Sequence, residues 1–216
     1  MSLAPTDYDF GVPANYAFAE KITCSNDEAR RMYVEAFGHM LNYNHEQAIA
    51  CFTKCTELDP NCAMAWWGIA YCLSSSYNWS AGLGPGYDAI SQAVSLKDHC
   101  SELEQDLIMA LSKRHTKEAR DNANPAALNM GNSPELNQAF ADAMAPLYEK
   151  YSGDLDVTAV YVEALMNLNP WTLWNKDAST GEITPVDDST LMLIKIMEDA
   201  FENVPGAKEH PALCHL

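Results

Sequence analysis

Apolar positions recur with helical spacing along almost the whole chain, and no stretch alternates as a half-buried strand would. Over residues 27–42 the apolar face carries Met32, Phe37, Met40 and Leu41. Asn44-His45-Glu46-Gln47 has the form of a capping box, with Asn44 as N-cap. The helix it opens runs through Ala48, Ile49, Phe52, Cys55 and Leu58 until Asp59-Pro60-Asn61 stops it. A third helix follows with Ala63, Trp66, Trp67, Ile69, Ala70 and Leu73. After the Ser/Gly-rich segment 74–86, residues 87–98 carry Ile90, Ala93, Val94 and Leu96 on helical spacing. Ser101-Glu102-Leu103-Glu104 is a second capping box, and its helix is expected to continue through Leu107, Ile108 and Leu111 to about Arg120.

Residues 121–133 are rich in Asn, Gly and Pro and read as a loop. Ser133-Pro134-Glu135 then combines an N-cap, a proline at the first helical position and an early acid. Leu136, Phe140, Leu147 and Tyr151 mark the stripe of that helix, and Gly153 ends it. A helix over 156–168 follows a short turn, so the two pack antiparallel. Residues 169–188 form a long connection holding Trp171 and Trp174, and a helix runs from Ser189 to Asn203. His210-Pro211 starts one more helix just before the sequence stops, so the chain is expected to be the N-terminal part of a longer protein. The organisation is therefore a partly helical N-terminal extension over 1–26, helical hairpins over 27–120 with an insertion at 74–86, a loop at 121–133, and further hairpins over 134–216 with the long loop 169–188. The fold class is all-α.

A repeat is visible in the phase of these helices. Ala48, Phe52, Cys55 and Pro60 are spaced A-x3-F-x2-small-x4-P, and Trp66 lies 34 residues after Met32. Small residues let two helices approach, the aromatic fills the space between them, and proline stops the helix. Trp66, Ile69, Ala70 and Leu73 are similar to the first-helix signature W-x2-L-G-x2-Y. Residues 29–73 thus resemble the tetratricopeptide repeat family, with looser hairpins over 87–120, 134–168 and 189–216. The segments 59–70 and 164–171 look like those of larger bacterial and environmental tetratricopeptide proteins, in which the region of His210-Pro211 continues into further helices with more histidines. The resemblance implies a right-handed α-solenoid scaffold with a concave groove. The family's groove-lining positions fall on Arg30, Tyr33, Phe37, Met40 and Leu41, then Met64, Trp67, Tyr71, Ser74 and Ser75. Such a lining is aromatic and apolar, unlike the Lys, Asn and Arg that clamp a peptide carboxylate.

Composition narrows the function. Thirteen basic residues face thirty acidic ones, for a net charge of −17. That excludes the basic face needed for nucleic acid or an anionic membrane. No stretch approaches the roughly eighteen apolar residues of a membrane-spanning helix. The first ten residues lack the basic and apolar regions of a signal peptide. Seven cysteines, with no CxxC pair, read as small buried thiols of a reducing compartment, which points to the cytoplasm.

The candidate sites follow. Tyr33, Phe37, Met40, Met64, Trp67 and Tyr71 are the expected partner-binding groove, with an added helix such as 12–22 packed into it as the competing arrangement. Trp171 and Trp174 are a candidate pocket on the long loop, or an anchor holding that loop to the helices. His45, His210 and His215 are weak metal candidates, because His210 and His215 are five apart rather than the four of a helical metal pair. Cys51 and Cys55 share a helix face and read as core. Gly82-Leu83-Gly84-Pro85-Gly86 follows a helix and lacks GK[ST], so it reads as a connecting loop rather than a phosphate cradle. No nucleophile–base arrangement and no catalytic motif is visible. The expected function is a cofactor-free protein or peptide interaction scaffold using the aromatic groove. The alternative is a small-molecule- or metal-binding helical protein, enzymatic or not, that needs residues beyond 216. An exposed apolar solenoid end also offers a homodimer contact.

Overall fold

The computed structural model of the chain describes residues 21–74, 76–78, 85–121 and 133–216. They form helices α1 (Asp27–Leu41), α2 (His45–Leu58), α3 (Ala63–Cys72), α4 (Pro85–Leu96), α5 (Glu102–Ser112), α6 (Lys117–Asp121), α7 (Pro134–Lys150), α8 (Leu155–Met166), α9 (Asp188–Asn203) and α10 (Pro211–His215). A two-stranded antiparallel ribbon, β1 (Trp174–Lys176) and β2 (Ile183–Pro185), lies between α8 and α9. The fold is mostly helical, as the periodicity predicts. The expected helix over 12–22 lies almost wholly outside the described residues, as do most of the loops 74–86 and 121–133.

Helix ends follow local chemistry. Asn26 caps α1 by accepting from the Glu28 and Ala29 N–H groups at 2.9 and 3.1 Å. Ser101 and Glu104 form the full capping box of α5. Glu104 is buried and also accepts from the N–H and hydroxyl of Thr23, both at 2.7 Å, which ties the segment before α1 to α5. Ser133 caps α7 with Pro134 in its first turn, as expected. Asn44 does not cap α2; its amide faces His39 Nδ1 at 3.3 Å instead.

Two other expectations are corrected. The helix expected to reach Arg120 stops at Ser112 and resumes at Lys117. Arg114 and His115 turn into the interior there, where the Arg114 Nε–H donates to Asn137 Oδ1 at 3.1 Å. Thr116 then caps the new helix through Ala119 N–H at 3.1 Å. The connection 169–188 is not irregular throughout. Trp174 pairs with Pro185 and Lys176 with Ile183, and Asp177 closes the turn by accepting from Ser179 and Thr180. At three residues each, the strands are too short for alternation to register in sequence.

Packing runs mainly between sequence neighbours: α1 on α2, α2 on α3, α3 on α4, α4 on α5, α7 on α8 and α8 on α9. Alternate helices also meet, α1 with α3 and α3 with α5, while α5 joins α7. Residues 156–166 of α8 are all buried, since α7, α9 and α10 surround that helix. The closest packing lies between α2 and α3. Phe52 is fully buried, and its ring occupies the space that a Cβ on Gly68 would take, 2.4–2.6 Å away. Small residue and aromatic thus meet directly where α2 crosses α3.

Candidate functional site

The six expected groove residues are in the interior. Tyr33, Phe37, Met40, Met64, Trp67 and Tyr71 are all buried. Tyr33 packs on Phe37 and Phe52, and Trp67 stacks on Tyr71 at 5.1 Å while its indole N–H donates to Leu107 O at 3.1 Å. As arranged here they are core, because α1, α2, α3 and α5 close over them.

Two of the six, Met40 and Tyr71, nevertheless line a small pocket with Leu41, Tyr43, Ala159, Val160, Glu163 and Ala212. The pocket gathers residues from α1, the α1–α2 turn, α3, α8 and α10. Glu163 is its polar centre. The buried Tyr71 hydroxyl donates to Glu163 Oε2, and Tyr43 lines the pocket with the same carboxylate. Burial, followed by the charge of Glu163, pushes both phenols well above their ordinary range, so both remain protonated donors. The buried Arg114 feels the Glu163 charge, stacks over Phe140 at 5.4 Å and is linked through Asn137 to Asn167 O.

Two predicted histidines flank this pocket. Tyr43 packs against His215 at 4.5 Å and His45 at 5.9 Å. Burial lowers the pKa of His45, opposed by Glu163, so its ring is neutral near pH 7. Tyr43 sits in the left-handed region, φ 58°, which a bulky non-glycine residue adopts at a cost of about 1–3 kcal/mol. That conformation turns its ring toward α8 and α10. His210 stands apart from them. Its Nδ1 caps α10 by accepting from Leu213 N–H at 3.3 Å, and its Nε2 bonds Asp156 Oδ1 at 3.1 Å. Its two nitrogens are thereby used, and it has the role of a helix cap. Among the described residues His45, His210 and His215 belong to no cluster of metal-type donors; the cluster present is Glu35, His39 and Cys51.

The loop tryptophans lie outside. Trp171 is 73% and Trp174 54% exposed, beside Ile183 at 62%. Trp171 adopts φ 63°, and its ring meets Tyr77 at 5.3 Å. Leu191 and Met192, at the start of α9, are also exposed, and α9 packs on β2. Gly86, the described end of the glycine-rich segment, has a packing role: a Cβ there would lie 2.2 Å from His115 Cε1. His115 in turn bonds the Ser74 hydroxyl at 2.8 Å.

Glu163 was invisible to sequence reasoning. It is one acid within an apolar helix, and only the approach of α3, 92 residues away in sequence, gives it a partner. The exposure of Ile183, Leu191 and Met192 was equally hidden. No protein-family model, no curated protein and no solved structure matches this chain, so its function is argued from this geometry.

Proposed function

We propose that this chain is a helical interaction scaffold whose contact surface is the tryptophan ribbon between α8 and α9. The observation that carries it is the exposure of Trp174 and Ile183 on the ribbon, of Trp171 just before it, and of Leu191 and Met192 in the first turns of α9, which packs on β2. Exposed large apolar groups in such numbers mark contact surfaces, and tryptophan dominates binding energy where it is desolvated. The partner that fits is a basic amphipathic segment. Its apolar side would cover the rings, and its charge would complement a chain of net charge −17. Two copies at −17 repel, which sets this reading above a homodimer. The stacking of sequence neighbours, with α1–α3 and α3–α5 contacts, supports a right-handed tetratricopeptide-like solenoid beneath the ribbon. Burial of Tyr33, Phe37 and Trp67 moves the expected contact surface away from the groove.

The test is tryptophan fluorescence with a helical Leu/Lys peptide and its Leu/Glu counterpart, at low and high salt, alongside native mass. Saturable binding of the basic peptide alone, lost in Trp171→Ala/Trp174→Ala with stability unchanged, supports the reading. Equal binding by that variant overturns it, and a concentration-dependent dimer would point instead to self-association.

A second reading is favoured by the pocket at Glu163. A buried carboxylate ringed by tyrosines suits a small cation or ammonium group. Its sign would be thermal stabilisation by small ammonium salts that Glu163→Gln abolishes.

A further inference from the structure

We propose that Glu35, His39 and Cys51 form a binding site for one divalent transition-metal ion of the zinc class. The three donor atoms lie within 4.8 Å of one another. Glu35 and His39 are one helical turn apart on α1, the i, i+4 spacing that points two ligands from one helix face. Cys51 faces them from α2, the antiparallel partner in the hairpin. His39 and Cys51 are buried, whereas Glu35 is half-buried and gives the ion an entry side.

The chemistry of the set is selective. A carboxylate, an imidazole and a thiolate suit zinc or cobalt, whereas calcium and magnesium take oxygen ligands. Carboxylate and thiolate together carry two negative charges, which a divalent ion neutralises inside the protein. Three protein ligands leave a fourth tetrahedral position open, the pattern of sites that keep a water. The shell behind the ligands also fits. The Asn44 side-chain amide nitrogen lies 3.3 Å from His39 Nδ1 and helps fix the orientation of the ring. The Gln47 amide approaches Cys51 Sγ at 3.8 Å, a donor suited to a thiolate. The metal displaces the Cys51 thiol proton: the Sγ–metal bond forms as that proton leaves to solvent, without redox change.

The test is titration of the reduced 216-residue chain with Co2+ at neutral pH, followed by displacement with Zn2+. One equivalent should bind with the visible bands of a four-coordinate ion and a near-ultraviolet thiolate-to-cobalt charge-transfer band. Cys51→Ser should abolish that band, Cys55→Ser should keep it, and His39→Gln or Glu35→Gln should weaken binding at least about tenfold. Absence of a saturable band, or a band that survives Cys51→Ser, overturns the proposal. If Cys51→Ser loses its helical circular dichroism, alkylation of Cys51 in the unaltered chain decides. Zn2+ should slow it about tenfold or more and should fail to do so in Glu35→Gln. An unchanged rate overturns the site.

Discussion

Replacing Gly68 with alanine probes the closest contact between α2 and α3. Gly68 is inside α3, where alanine is favoured over glycine by about 0.5–1 kcal/mol from backbone entropy alone. The new methyl, however, would lie 2.4, 2.5 and 2.6 Å from Cζ, Cε2 and Cε1 of Phe52. These are atoms of a rigid ring, and it has no room to retreat. Phe52 is fully buried and held by Tyr33 at 5.4 Å. Overpacking of this kind costs about 1–3 kcal/mol. The clash exceeds the propensity gain, leaving a net loss of about 1–2 kcal/mol. Urea unfolding followed by far-ultraviolet circular dichroism should show the midpoint falling with unchanged slope. Thermal unfolding should fall by roughly 2–8 °C for a chain of this size. The cause is checked by Gly68→Ala/Phe52→Leu: shrinking the ring should recover part of the loss, so the two substitutions should be less than additive. Gly68→Ala with wild-type or greater stability would refute the assignment of Phe52 to that space.

Three further outcomes are expected. The fold holds the buried His115 at about 4, through burial and then the Arg114 charge, while the unfolded chain takes up a proton near pH 6.5. Stability is therefore full above about pH 6.5 and falls between there and pH 4, by up to about 3 kcal/mol; His115→Gln should flatten the difference between urea midpoints at pH 7 and pH 5. His39 and His45 are lowered by burial and add to the same acid weakening. Tyr71→Phe removes a donor from the buried Glu163 and should cost about 1–3 kcal/mol in denaturant unfolding, although the ring volume is unchanged. His210→Ala removes the cap of α10 and the partner of the buried Asp156, and should cost about 1–2 kcal/mol; hydrogen exchange at Leu213 N–H should rise with it.

The helices were legible because each carries its own periodicity and ends. Ser101 with Glu104 and Ser133 with Pro134 announce α5 and α7 through bonds spanning three residues, which depend on nothing distant. The Phe52–Gly68 contact carries no such local signal, because the small positions of the repeat spacing fall on Ala48, Cys55 and Ala70 rather than on Gly68. Asn44 departs from its local chemistry: the residue favours a cap, but its amide faces His39 instead. The break after Ser112 has no local signal, because Arg114 and His115 are polar residues drawn inward by Asn137 of α7 and by Ser74, just after α3.

The sequence by itself determined the helical class, most helix boundaries and the net charge of −17, because spacing and charge can be read without the fold. Tertiary structure alone decided which apolar face became interior. Tyr33 and Trp67 have the same spacing whether they line an open groove or a core, and only the neighbouring helices that close over them tell the two apart. The same holds for the candidate sites. Glu163 meets Tyr71, and Cys51 meets Glu35 and His39, through the packing of separate helices, and no local pattern records a contact between residues on different helices.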